Sequence, residues 1–162
     1  MIWIAVAAAL VVAALVAFFF IGANYPRQAR ERFREQRDRL YADFFAAASN
    51  SGKPRGLRWK GLDWTVADKL PEPTLARDRE NGNIVALVPV TIRFEAVPGG
   101  EMEGLPAVGN LRNASAVFFY RRGEWHASGR AVFNLNPEEA IAHFKEQFAP
   151  LDVPEPPAAG TP

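Results

Sequence analysis

The chain has 162 residues, no cysteine and two histidines, and its 19 Lys or Arg against 18 Asp or Glu give a formal net charge of +1. The lack of cysteine excludes disulfide scaffolds, thiolate zinc sites, iron–sulfur centres and cysteine nucleophiles. About 120 residues remain once the apolar N-terminal run and the proline-rich tail are set aside, which suffices for one modest domain and is too few for two.

From Ile2 to Gly22 the sequence carries no charge. At 1.5 Å rise per residue, a helix of that length matches the roughly 30 Å hydrocarbon core of a bilayer. The run is longer than the apolar stretch of a cleaved signal peptide and lacks a basic segment before it, so it reads as an uncleaved anchor over residues 1–23. Trp3 and Tyr25 suit the two interfaces. Arg27, Arg30, Arg32, Arg34, Arg37 and Arg39 follow the run, and no Lys or Arg precedes it. The positive-inside rule therefore predicts a single-pass membrane protein, N-terminus out, with its C-terminal part in the cytoplasm, the membrane being the inner or plasma membrane if the source is a bacterium. Ala5, Ala9, Ala13 and Ala17 recur every four residues. Such a stripe would let a second anchor helix approach closely.

Pro26 predicts a kink or a fresh helix start with Asn24 or Tyr25 as cap. A basic, amphipathic helix then occupies residues 24–49. Its first half reads as a mostly solvated stalk, and its second half places Leu40, Tyr41, Phe44, Phe45 and Ala48 on one face. Residues 24–58 hold nine Lys or Arg against four Asp or Glu, and residues 59–162 hold ten against fourteen. The near-neutral total thus conceals a basic segment beside the anchor, where each basic residue adds about 1 kcal/mol of attraction to an anionic leaflet. No nucleic-acid motif accompanies the basic charge, so the expected partner is the lipid bilayer and not nucleic acid.

Residues 50–148 form the expected α+β domain. Alternating apolar and polar positions predict strands at about 57–66, 73–79, 83–97, 111–121 and 124–135, a four- to five-stranded antiparallel meander. Asn81-Gly82 and Arg122-Gly123 mark tight turns. Ile84, Ala86, Val88, Val90, Ile92, Phe94 and Ala96 share one face of the third run, whose other face changes from Val85 and Leu87 to Thr91, Arg93 and Glu95. Pro89 cannot donate to a ladder and belongs at a bulge or where the neighbouring strand has stopped. In the last run Trp125, Ala127, Ala131, Phe133 and Leu135 alternate with His126, Ser128, Arg130 and Asn134. Asn136-Pro137-Glu138-Glu139 then supplies a capped start for a C-terminal helix reaching about Phe148. Residues 149–162, with five prolines, read as a disordered tail. Asn113-Ala114-Ser115 fits the glycosylation pattern by chance on a cytoplasmic strand.

A long helix, a curved antiparallel sheet and a closing helix together resemble the cystatin-like and nuclear-transport-factor-like α+β folds over roughly residues 30–148. The resemblance implies an architecture that serves enzymes, ligand binders and assembly modules alike.

Two functions are open to such a chain. The first is a non-catalytic module that binds a protein partner or self-associates, aided by the glycine-rich loop Pro98–Asn110. The second is a pocket for an anionic small molecule, or an enzyme, on the polar sheet face formed by Arg93, Glu95, His126, Ser128 and Arg130. The first is preferred. His126 and Ser128 stand two apart on one strand with parallel side chains, which is no nucleophile–base pair. Neither a metal site, a cofactor nor a catalytic residue is expected.

Overall fold

The computed structural model describes residues 2–51 and 55–151, with side chains from 25 to 50 and from 55 to 151. Helix α1 (Ile2–Ser51) is followed by strands β1 (Leu57–Asp63), β2 (Thr74–Asp78) and β3 (Ile84–Ala96). A 3-10 turn (Pro106–Gly109) leads to β4 (Arg112–Arg121), β5 (Glu124–Phe133), α2 (Pro137–His143) and β6 (Phe148–Pro150). The fold is α+β. Its six strands form one antiparallel sheet in the order β5-β4-β3-β2-β6, and β1 also pairs with β3.

β3 organises the sheet. One edge pairs with β4 from Ile84 to Ile92. The other pairs with β2 over Ile84–Leu87 and with β1 over Thr91–Ala96. Pro89 falls in the gap between these two partners, where its missing N–H costs no ladder bond. The sheet is therefore not the simple meander expected, because two strands share one edge and a sixth, β6, pairs with β2. α2 is correspondingly shorter than expected. It ends at His143, and the chain turns through Phe144 so that Phe148 is buried and Leu151 N–H donates to Leu75 C=O.

α1 covers the apolar face. Ala29, Phe33, Leu40, Phe44 and Ala48 are fully buried against Ile84, Ala86, Val88, Ile92, Ala116 and Phe118. Phe33 meets both Phe118 and Trp125 edge-on at about 5 Å, Tyr41 stacks on Trp64 at 3.9 Å, and Trp125 Nε1 donates to Ala29 C=O at 2.8 Å. Two expectations are corrected here. The first half of the helix is no solvated stalk, since Ala29 and Phe33 belong to the core. Nor does Pro26 begin a new helix, since α1 runs through it. A proline inside a helix removes one backbone hydrogen bond, and the packing that begins at Tyr25, whose ring lies 5.5 Å from that of Tyr120, stands against that local cost.

The opposite face holds a second, smaller core of Ala76, Val85, Leu87, Val117, Val132, Ala140, Ile141 and Phe148. A full capping box starts α2: Asn136 Oδ1 accepts from Glu139 N–H, and Glu139 Oε2 accepts from Asn136 N–H, both at 2.9 Å. α2 covers only the half of this face nearest Val85 and Leu87.

Two turns refine the sequence reading. Arg122 and Gly123 both have positive φ between the paired residues Arg121 and Glu124, which is the type I′ geometry of a two-residue hairpin. Asn81-Gly82 instead lies in a longer loop, in which Asp78 Oδ1 accepts from Glu80 N–H and Asp78 Oδ2 accepts from Asn81 Nδ2. In β5 a bulge falls at Gly129, where a Cβ would lie 2.4 Å from the backbone N of Ala48. The helix crosses the strand there at a distance only glycine permits. Beyond it Asn134 takes φ 60°, which sends Leu135 to the second core and not to the Trp125 face.

The apolar run 2–22, with its Ala5, Ala9, Ala13 and Ala17 stripe, lies outside the residues whose side chains are described. Among the described residues no helix is long and apolar enough to cross a membrane.

Candidate functional site

The polar residues singled out from the sequence separate into two groups. Arg93 and Glu95 stand at the far end of β3 opposite β1, where Glu95 accepts from Arg58 at 2.6 Å and Arg93 lies 4.0 Å from Asp63. His126, Ser128 and Arg130 are on β5, with β4 between. His126 is opposite Phe119, itself opposite Val85, so eight residues of β3 separate that level from Arg93, about 26 Å. Arg130 turns toward β6: it donates to Gln147 Oε1 at 3.0 Å and its guanidinium lies 5.7 Å from the Phe148 ring centroid. The five residues do not converge on one ligand.

A different group does converge. Where α2 stops covering the second face, a groove of about 650 Å³ opens over β3 and β4. Its floor is Pro89, Thr91 and Asn113, the last two directly opposite in register, with the Thr91 hydroxyl 3.4 Å from Asn113 Oδ1. One wall is the turn after β1. Asp63 Oδ1 accepts from both the N–H and the hydroxyl of Thr65, at 2.9 and 2.6 Å, and Val66 and Lys69 exchange backbone hydrogen bonds around Ala67 and Asp68, both at positive φ. The Thr65 hydrogen bonds, helped by Arg93, hold the Asp63 carboxyl below its ordinary range. The opposite wall is Asn134, Asn136 and Glu139 at the start of α2. It is anchored from below by the fully buried Ser115, whose hydroxyl donates to Leu135 C=O at 2.8 Å.

Chemically the groove is a hydrogen-bonding channel with an apolar rim. Thr65, Thr91, Asn113, Asn134 and Asn136 offer donors and acceptors without net charge, Arg112 and Glu139 add one charge of each sign, and Leu111 and Val66 are 58 % and 52 % exposed. Such a lining can exchange hydrogen bonds with a polar ligand and cover small apolar groups. Among the described residues no cluster of three or more His, Asp or Glu side chains comes together in a geometry for a metal. Asn113 drew notice in the sequence only for its chance glycosylation pattern. The signals that mark the site are Pro89, which separates β2 from β1 along the edge of β3, and the three asparagines on neighbouring elements.

The basic residues of α1 divide as well. Glu72 pairs with Arg34 at 2.8 Å and Arg37 at 3.4 Å, and Arg39 lies 3.8 Å from Asp43. Arg32 instead donates to Gly123 C=O. No protein-family model, characterised protein or solved structure matches the chain.

Proposed function

We propose that the chain is a single-pass membrane protein whose α+β domain is a non-catalytic interaction module, and that the groove between the Thr65–Val66 turn and the start of α2 takes an extended segment of a partner protein. The groove's composition supports this reading most: neutral hydrogen-bonding side chains line its floor and two exposed aliphatic residues form its rim. In this reading the anchor is residues 1–23, and the arginines that follow it support a cytoplasmic side for the domain. β3 sets the groove apart from the helix entry. From Ile84, whose β4 partner Tyr120 meets Tyr25, seven residues lead to Thr91, about 23 Å along the strand.

The test is site-specific photocrosslinking in intact membranes. A photoreactive residue at Leu111 of the full-length chain should give an adduct with a distinct protein, and Asn113→Arg, which fills the groove floor, should abolish that adduct without loss of the folded domain. A copy of residues 25–162 should keep the adduct, because the groove owes nothing to the apolar run. Adducts of the chain with itself alone, or an adduct indifferent to Asn113→Arg, would sink the proposal, the former in favour of self-assembly.

A further inference from the structure

Seven arginines without a carboxylate partner gather at one end of the molecule, although Arg55, Arg112 and Arg130 elsewhere also lack one among the described residues. Arg34, Arg37, Arg39, Arg58 and Arg93 each lie within 4.0 Å of an Asp or Glu. At the end of the domain where Tyr25 meets Tyr120, none of Arg27, Arg30, Arg32, Arg77, Arg79, Arg121 and Arg122 has such a partner among the described residues. Arg32, Arg77 and Arg79 donate to the backbone carbonyls of Gly123, Gly82 and Lys145, which fixes their position and leaves their charge in place.

Topology explains why they meet. The β2–β3 loop and the β4–β5 hairpin lie at the same end of β3, since Ile84 is opposite both Arg77 and Tyr120. α1 enters the domain at that end, held by Tyr25 against Tyr120 and by Ala29 C=O accepting from Trp125. Glu31, Glu80, Glu124 and Glu146 are exposed there and Asp78 is buried at the end of β2, so five carboxylates stand against seven arginines and Lys145. This end thus carries a net positive charge, and it is the end at which the 21-residue uncharged run adjoins the domain in sequence.

We infer that the end of the domain formed by the β2–β3 loop, the β4–β5 hairpin and the first turns of α1 beyond the apolar run rests on the anionic surface of the bilayer. The inference depends on the membrane-anchor reading and goes further, because it gives the domain a fixed face toward the lipid. Its arginines have no carboxylates to satisfy them and meet phosphate oxygens instead, which suit the planar guanidinium. Arg121 and Arg122 are the decisive pair, since they belong to the sheet and not to the helix. A helix alone would leave the domain free to lift away from the headgroups, whereas basic residues on two further loops fasten it from the side.

The experiment uses the full-length chain in nanodiscs of phosphatidylcholine, with and without phosphatidylglycerol. The chain has no cysteine, so a single fluorophore can be placed by Glu146→Cys at the basic end or by Glu101→Cys in the loop beyond β3. Energy transfer to a dye on the lipid headgroups reports distance from the surface. The expected result is strong transfer from position 146 that rises with phosphatidylglycerol, and weak, composition-independent transfer from position 101. Each arginine near such a surface contributes about a fivefold factor in association, so Arg121→Glu with Arg122→Glu should lower the docked fraction relative to the undocked about 25-fold or more and remove the dependence on phosphatidylglycerol. Raising the salt from 0.1 to 1 M shrinks the screening length from about 10 to about 3 Å and should do the same without any substitution at the hairpin. Equal transfer from the two positions, or transfer from 146 indifferent to lipid charge and to salt, overturns the docked face while the anchor stands. Release of the protein from the discs by alkaline carbonate overturns the anchor and the docked face together.

Discussion

The two faces of the sheet are built from the same alternating strands and are covered in opposite ways. On one, α1 lays Ala29, Phe33, Leu40, Phe44 and Ala48 along the sheet, and the contacts are mostly aromatic. On the other, the seven residues of α2 cover Val85, Leu87, Val117 and Val132 and stop. The first face leaves only its far end open, where Phe133 beside Phe94 is 41 % exposed; the second leaves Thr91, Asn113 and their surroundings open. The groove is thus a product of unequal helix length: a sheet wide enough for a long helix on both sides carries a short one on the second.

This difference can be broken most severely on the α1 face. Phe33→Ala removes a ring that meets both Phe118 and Trp125 and should cost about 3–5 kcal/mol, whereas Ile141→Ala, in the smaller core, should cost nearer 2 kcal/mol. Urea unfolding of the two variants checks the ranking, and a larger loss for Ile141→Ala would refute it. Next comes Gly129→Ala, which forces a Cβ to within 2.4 Å of the Ala48 backbone at φ 73°. Overpacking and left-handed strain together put its cost at about 3 kcal/mol, visible as a fall in the urea midpoint.

The smallest effect sharpens the comparison by pH. Tyr41 is buried on the α1 face with no hydrogen-bond partner for its hydroxyl among the described residues, and burial pushes its pKa up to about 12. Because the folded-state value lies above the unfolded value near 10, this group's contribution to stability is complete below pH 10 and is lost as the pH climbs toward 12. Tyr41→Phe should therefore change stability at pH 7 by less than about 1 kcal/mol, in the stabilising direction, and should flatten the alkaline decline. Tyr120, also raised by burial, keeps a residual slope in that variant. Stability curves at pH 7 and pH 11 test both statements.

The strands were legible because burial on two faces imposes a two-residue period, and β3 shows it directly: Ile84, Ala86 and Val88 face α1 while Val85 and Leu87 face α2. The capping box at Asn136 was legible for a local reason, since its partners are three residues apart. What stayed hidden depends on contacts far apart in sequence. In the charged first half of α1 the apolar line of Ala29 and Phe33 can be read from the sequence, but its burial cannot, because its partners Trp125 and Phe118 lie some 90 residues away. The bulge at Gly129 answers to Ala48 rather than to its own strand, and Asn134, by reversing the chain, moved Leu135 from the expected face. The groove depends on the Asn134 turn and on the turn after β1 meeting across β3 and β4, which is why polar alternation alone pointed to Arg93, Glu95, His126, Ser128 and Arg130 instead of to Thr91 and Asn113.

The seating of α1 on the sheet also governs which changes in chain length the domain can absorb. One residue inserted between Ala29 and Asp43 would turn everything after it by about 100° and bring Asp43 to the place of the fully buried Phe44, although the Gly129 crossing would still meet an alanine, Ala47. One residue added before Tyr25 disturbs no packed side chain of the sheet. Insertions and deletions in descendants of this sequence should therefore gather ahead of residue 25 and in the Pro98–Asn110 loop, and be missing from the nineteen residue steps between the Trp125 contact and the Gly129 crossing.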